Sequence, residues 1–318
     1  MRARGRGLAA AVLFAFAALS AVRAGAQCTP SALPLETPIA LVLSGGGAKG
    51  AYEAGVALGL VARGVPVRLA AGSSAGALTA AALADGRLER LDALWRGATR
   101  EQVYALRSGV FFAGLLPGWL TLLALDGAGS LLDPAPLRQL IASAVDLDRI
   151  RVSPVALRVV ATDLERRAVR VFDNRTVSVD ALVAASAVPG LFPPVPVGGA
   201  LLVDGGLVAR APVLEALDGA APPPRVVVVL SYASGEGGPP PTTIRRVLEE
   251  AFETAMVHQI RRDVELARLK YPTLDLQLVV PTAPLGLRPL DFEAAAMSRA
   301  LERGRADALA CVGGWSRR

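Results

Sequence analysis

Only one histidine, His258, occurs in the 318 residues, and there are only two cysteines, Cys28 and Cys311. The single histidine excludes nearly every histidine-based metal site and leaves one candidate for histidine-dependent catalysis. Two cysteines exclude a disulfide-built scaffold, a cysteine-rich zinc module and an iron–sulfur cluster. Aromatic residues make up 5% of the chain and charged residues 19%. The hydrophobic fraction is 53%, enough to bury a sizeable core, so the chain is neither disordered nor supercharged. Of 34 basic residues only Lys49 and Lys270 are lysines, an arginine bias that points to GC-rich coding rather than to function. At roughly 100–200 residues per domain, the length fits one large domain or two modest ones.

Much of the formal charge of +6 sits at the start. Arg2, Arg4, Arg6 and Arg23 fall within residues 1–26, with no acid among them. A basic beginning, an apolar run from Leu8 to Leu19 and the small-residue pattern Ala24-Gly25-Ala26 form the three-part layout of a secretory signal peptide. The apolar run is shorter than the ~20 residues that span a bilayer. Gln27 precedes Cys28 where a lipoprotein signal wants a small residue. The expectation is therefore a signal peptide over 1–26, a single domain over 27–318, and a periplasmic or secreted protein with possible membrane association. Without residues 1–26 the chain keeps 30 basic against 28 acidic residues, which removes the case for nucleic-acid binding. In an oxidising compartment Cys28 and Cys311 either pair or stay free, and the sequence leaves both open.

Further along, short β-branched runs alternate with longer helical segments. Ile39–Leu43, Val65–Ala71, Val155–Leu164, Arg167–Phe172, Leu201–Val203, Arg225–Leu230 and Leu274–Val280 read as strands. Helices are expected at Ala48–Arg63, from Gly76 to Ala84, Leu88–Ala98, Pro136–Ala144, Val179–Val188, Thr242–Leu269 and Asp291–Cys311. Pro189–Pro196 reads as an irregular loop, and Gly235–Pro241 as a surface loop inside one domain. The alternation predicts an α/β fold with a mainly parallel sheet.

Two glycine-rich turns each lie between a predicted strand and a predicted helix. In Gly72-x-Ser74-x-Gly76 the serine occupies the place of a nucleophile elbow, with its hydroxyl exposed above the sheet and the glycines permitting the tight turn. In Gly45-Gly46-Gly47-Ala48-Lys49-Gly50, successive amides can converge on an oxyanion. This stretch also fits a dinucleotide fingerprint, but no acid lies between Glu53 and Asp85 to hold a ribose, and no Lys-Ser/Thr pair closes a Walker loop. A serine needs a base. The candidates are Asp204, in Asp204-Gly205-Gly206 after a short apolar strand, acting directly, or His258 completing a Ser74-Asp204-His258 triad. The order Ser, Asp, His suits an α/β-hydrolase. His258, however, lies inside a long helix beside Gln259, Arg261 and Arg262, a context that reads as surface or helix packing.

Gly45-Gly-Gly-Ala-Lys-Gly50-Ala-Tyr, Gly72-Ser-Ser-Ala-Gly76, Ser186-Ala-Val-Pro-Gly-Leu-Phe-Pro194 and Asp204-Gly-Gly206 together resemble the four blocks of the patatin-like phospholipases, in their order. The resemblance spans residues 39–206. It implies a three-layer α/β/α sandwich and a Ser–Asp dyad, with Ser74 as nucleophile and Asp204 as proton acceptor. It also implies an oxyanion hole from Gly45, Gly46 and Gly47, with Lys49 nearby, and an acyl-serine route needing no metal or cofactor. The implied activity is hydrolysis of fatty-acyl esters of phospholipids or other lipids. Alternatives are a general carboxylesterase using the His258 triad and a non-catalytic lipid-binding module on the same fold. The apolar stretch Val110–Leu125, too short and too broken to span a bilayer, is expected to line an acyl pocket, to touch a membrane surface or to form core helices.

Overall fold

The computed structural model describes residues 28–316, apart from 114–119, 121–126, 128, 220–221 and 234–239. The expected signal peptide, most of the 110–125 stretch and most of the 235–241 loop lie outside the described residues. The strands are β1 (Ser31–Pro34), β2 (Ile39–Leu43), β3 (Val67–Ser73), β4 (Ala105–Leu106), β5 (Leu132–Asp133), β6 (Ala156–Asp163), β7 (Ala168–Phe172), β8 (Val195–Val197), β9 (Ala200–Asp204), β10 (Arg225–Val229), β11 (Asp275–Val279) and β12 (Trp315–Ser316). The helices are α1 (Gly50–Ala62), α2 (Ala75–Asp85), α3 (Leu88–Gly97), α4 (Arg100–Val103), α5 (Ser108–Ala113), α6 (Ala135–Ala144), α7 (Leu147–Arg151), α8 (Val179–Ala185), α9 (Val213–Leu217), α10 (Ile244–Lys270) and α11 (Ala294–Val312).

The main sheet runs β11-β10-β2-β3-β6-β9-β8, with β7 also paired to β6. From β11 to β6 every pairing is parallel; β7 and β9 are antiparallel to β6, and β8 is antiparallel to β9. The central strands β2 and β10 are buried along their whole length, which is why they read as unbroken apolar runs rather than as alternations. Their side chains divide by parity between two cores. Ile39, Leu41 and Leu43 join Val227 and Val229 on the face covered by α1, α2 and α11. Ala40, Val42, Val226 and Val228 join Ile260, Val264 and Ala267 of α10 and Val213, Ala216 and Leu217 of α9 on the other. This is the expected α/β/α sandwich, with a mixed, mainly parallel sheet.

Two expectations shift, and the question the sequence left open about the two cysteines is answered. The helix predicted over Val179–Val188 stops at Ala185, where the carbonyls of Ala185 and Ala187 accept the amides of Ser74 and Asp204. The stretch Pro189–Pro196 is not wholly irregular, since its end enters β8. The two cysteines form a disulfide, Cys28–Cys311. That bridge closes a clasp in which β1 pairs with β12 and the buried Arg225 guanidinium stacks 3.9 Å from the Trp315 ring while binding Asp275 at 2.7 Å. The Asn174 side chain ties the start of β6 to the loop before it, accepting the Leu157 amide and donating to the carbonyls of Ile150 and Val155.

Candidate active site

β3 ends at Ser73 and α2 begins at Ala75, so Ser74 is the one residue of the turn. Its φ of 53° and ψ of −135° lie in a region that non-glycine residues avoid, at a cost of about 1–3 kcal/mol. Among the described residues Arg167, in the β6–β7 turn, is the only other non-glycine with positive φ. The turn packs this tightly because Gly72 and Gly76, two positions to either side of Ser74, lack side chains. A Cβ on Gly72 would lie 2.3 Å from the Gly76 carbonyl oxygen, and one on Gly76 would lie 2.5 Å from that of Leu43. The Ser74 amide donates to the Ala185 carbonyl at 2.9 Å, and the Ser186 hydroxyl donates to the Ser74 carbonyl at 3.3 Å.

Asp204 reaches the same place from the opposite direction. β3 runs along one edge of β6 until Ser73 faces Val160. The other edge carries β7 over Val159–Asp163. β9 therefore takes the β3 edge beyond that point, running the other way, until Asp204 faces Ala161. Two strands meet head to head at adjacent β6 positions, and their ends carry Ser74 and Asp204. The Asp204 amide donates to the Ala187 carbonyl at 2.9 Å, and its carbonyl accepts the Thr162 hydroxyl at 2.8 Å. Oδ1 accepts the Gly206 amide at 2.7 Å, whereas Oδ2 is buried with no hydrogen-bond partner. Burial pushes the Asp204 carboxyl above its ordinary range; the Gly206 amide, the Arg210 charge and the Ser74 side chain oppose it.

The glycine loop follows β2. Gly45, Gly46 and Gly47 all have positive φ, of 73°, 134° and 58°. The Gly45 peptide is held on both sides. Its amide donates to Glu53 Oε2 at 2.9 Å, and its carbonyl accepts the Ser231 hydroxyl and, at 3.5 Å, Arg210 Nη2. The Gly45 amide is thus already occupied and is not available to an oxyanion, contrary to expectation. The amides of Gly46 and Gly47 donate to no acceptor among the described residues. The Ala48 amide is anchored to the Pro289 carbonyl at 2.9 Å. Lys49 is buried in the 3₁₀ turn Gly47–Lys49, with Nζ 3.6 Å from Glu253 of α10.

The structure gathers Ser74, Asp204, Gly45, Gly46, Gly47 and Lys49 into one region and leaves His258 out. His258 is exposed on α10 and hydrogen-bonds neither Ser74 nor Asp204, so the triad geometry is not formed. Four neighbours escaped the reading of the sequence: Glu53, Arg210, Ser231 and Pro289. Glu53 is fully buried, with Oε1 taking the Ser44 hydroxyl at 2.6 Å, and burial pushes its carboxyl up to about 8. It had one available signal, being the sole acid in the otherwise apolar α1. Among the described residues no group of His, Cys, Asp and Glu is arranged to hold a metal ion, and no helix is long and apolar enough to cross a membrane.

Strained strand-to-helix turn, buried aspartate and glycine loop on a mixed α/β/α sheet define an architecture, and comparison places it. Residues 41–217 match the patatin-like phospholipase family. The chain belongs to that family. It is 31% identical over 177 residues to an uncharacterised NTE family protein of Mycobacterium bovis, and equally to counterparts in two strains of Mycobacterium tuberculosis. Each alignment covers 55% of this chain and 44% of the relative, so the shared part spans less than half of those proteins. Among solved structures it is similar to VipD from Legionella pneumophila (TM-score 0.48, 16% identity, 91% of this chain, 70% of the other). It also resembles Pseudomonas aeruginosa ExoU in complex with SpcU (TM-score 0.40, 19% identity, 90% and 54%).

Proposed function

We propose that the protein is a lipid acyl hydrolase of the phospholipase A or lysophospholipase type, working through an acyl-serine. The observation that carries the reading is the meeting of Ser74, on its strained turn, with Asp204, whose buried Oδ2 is unpartnered. Ser74 Oγ attacks the ester carbonyl carbon as its proton passes to Asp204. The Gly46 and Gly47 amides take the oxyanion, each such donor being worth about 3–4 kcal/mol in acyl transfer. Collapse expels the alcohol, which takes the proton from Asp204. Water, deprotonated by Asp204, then attacks the acyl-serine, and collapse releases the fatty acid as Asp204 returns that proton to Ser74 Oγ. Family membership supports a lipid ester as substrate, and the apolar residues of 110–125 would contact the lipid surface. The Cys28–Cys311 disulfide and the signal-like start support export to the periplasm or beyond.

The test is fluorophosphonate labelling with mass mapping, run beside fatty-acid release from phosphatidylglycerol vesicles. The expected adduct is on Ser74, absent in Ser74→Ala, lost in Asp204→Asn and kept in His258→Ala. Loss in a folded His258→Ala would favour the triad esterase. No adduct and no release from folded protein with vesicles present would favour a non-catalytic lipid-binding module.

A further inference from the structure

Arg210 carries a charge into the interior and has no carboxylate in ion-pair contact among the described residues. Its backbone is fixed beside the elbow: its carbonyl accepts the Ser73 hydroxyl at 2.6 Å, and its amide donates to Gln259 Oε1 at 3.2 Å. Its guanidinium lies between the glycine loop and the Asp204-Gly205-Gly206 turn. Nη2 donates to the Gly45 carbonyl at 3.5 Å, and Nη1 lies 2.8 Å from Met256 Sδ. A Cβ on Gly46 would stand 3.2 Å from Nη2, and one on Gly206 would stand 3.5 Å from Nη1. A buried charge without a direct partner is expensive, so something nearby must offset it. Two buried carboxyl groups flank it, Glu53 on α1 and Asp204 at the end of β9.

We propose that Arg210 is a positioning residue acting through charge: it is the counter-charge of Asp204, and it keeps Asp204 ready to accept the Ser74 proton. The inference rests on the Ser74–Asp204 reading above. The field of Arg210 lowers both carboxyl groups against the burial that raises them. The other charged or titratable groups near Arg210 leave this role to it. Lys49 is paired with Glu253 of α10. Burial pushes the Tyr232 phenol up to about 12, so it stays neutral. Arg261 is exposed on α10. Glu53, at about 8, is mostly protonated at neutral pH, which leaves the guanidinium to Asp204. The groups acting directly on Asp204 are the Gly206 amide, Ser74 and Arg210.

The test is the pH profile of kcat/KM on a p-nitrophenyl ester, together with the pH profile of the fluorophosphonate labelling rate at Ser74. Wild type, Arg210→Met, Arg210→Lys and Asp204→Asn are compared. Arg210→Met is expected to move the acidic limb up by about 1–2 pH units and to recover much of its rate at high pH. Arg210→Lys, which keeps the charge, is expected to stay near the wild-type limb. An Arg210→Met that loses the same factor at every pH, with its limb unmoved, would overturn the proposal and reduce Arg210 to a prop for the Gly45 carbonyl. Should Arg210→Met not fold by circular dichroism, Arg210→Gln, which retains a donor for that carbonyl, takes its place under the same criteria. Labelling retained in Asp204→Asn would instead mean that the dyad reading has failed, a result separate from the behaviour of Arg210.

Discussion

Ser74 and Asp204 hang from one short segment: the Ser74 amide donates to the Ala185 carbonyl and the Asp204 amide to the Ala187 carbonyl, each at 2.9 Å. The segment opens the Ser186–Pro194 block, whose sequence contains no obvious chemical group for ester cleavage. Its part is to fix the separation of two strand ends that approach from opposite directions. The pair is therefore set by backbone bonds, and its side chains can be exchanged while the frame stays in place.

That frame makes Ser74→Gly an informative substitution. Glycine tolerates a φ of 53° that serine adopts only under strain. The variant is expected to gain about 1 kcal/mol, a rise in Tm of about 1–2 °C for a chain of this size. Ester turnover is expected to fall by at least about 10³-fold. Ser74→Ala should lose the same activity without the gain in Tm. Calorimetry and esterase assays on the two variants measure the difference.

The glycine loop predicts a loss that side-chain rearrangement cannot relieve. A Cβ on Gly47 would lie 1.9 Å from the Pro289 carbonyl oxygen, at a residue whose φ is 58°. Gly47→Ala must push backbone from backbone and break the Ala48–Pro289 hydrogen bond. We expect about 2–3 kcal/mol of destabilisation, together with more than about 10-fold loss of activity. Gly64→Ala is the control: φ is 80° but nothing lies within 4 Å, so the cost is conformational alone, about 1 kcal/mol, and activity is kept. Urea unfolding and ester turnover measure both variants.

Much of this was legible in the chain. The buried strands announced themselves because a central parallel strand is apolar on both faces, as in Ile39–Leu43 and Arg225–Val229. The glycine turns were legible because few other sequences can make them. What could not be read was direction. Leu201–Val203 looks the same whether it runs parallel or antiparallel to β6, yet its reversal delivers Asp204 to the end of β3. Glu53, Arg210, Ser231 and Pro289 belong to no local pattern; they matter through contacts 8 to 241 positions away in the chain. His258 showed the opposite: its order in the chain suited a triad, and the exposed face of α10 removes it.

Glu53 makes stability depend on pH. Its carboxyl rises from 4.5 to about 8 on folding, so the folded protein binds a proton that the unfolded chain releases at lower pH. The stabilisation is complete below about pH 4.5, declines as pH rises, and is gone above about pH 8. Glu53→Gln imitates the protonated side chain, which leaves the Ser44 hydroxyl free to accept from it. The variant is expected to flatten the decline between these limits and to be the more stable protein at pH 9. Denaturant unfolding from pH 5 to pH 9 checks this, and equal slopes in the two proteins would contradict the assignment.

The Cys28–Cys311 bridge should govern stability and leave chemistry untouched. It joins residues 283 positions apart, and a loop of that length is expected to contribute about 5 kcal/mol by restricting the unfolded chain. Its neighbours are β1, β12 and Arg225, the first residue of β10, with Asp275, the first of β11. Arg225 and Asp275 begin parallel strands, whereas Ser74 follows the end of one, so the clasp and the Ser74–Asp204 pair occupy opposite ends of the sheet. Cys311→Ser, or mild reduction of the wild type, is expected to lower the unfolding free energy by about 4–5 kcal/mol in urea. The kcat/KM for ester hydrolysis at 25 °C should be unchanged. A parallel fall in kcat/KM, with the protein still folded, would mean that the clasp reaches the site, and α11 would be the route, since it runs from the disulfide along α1 toward the glycine loop.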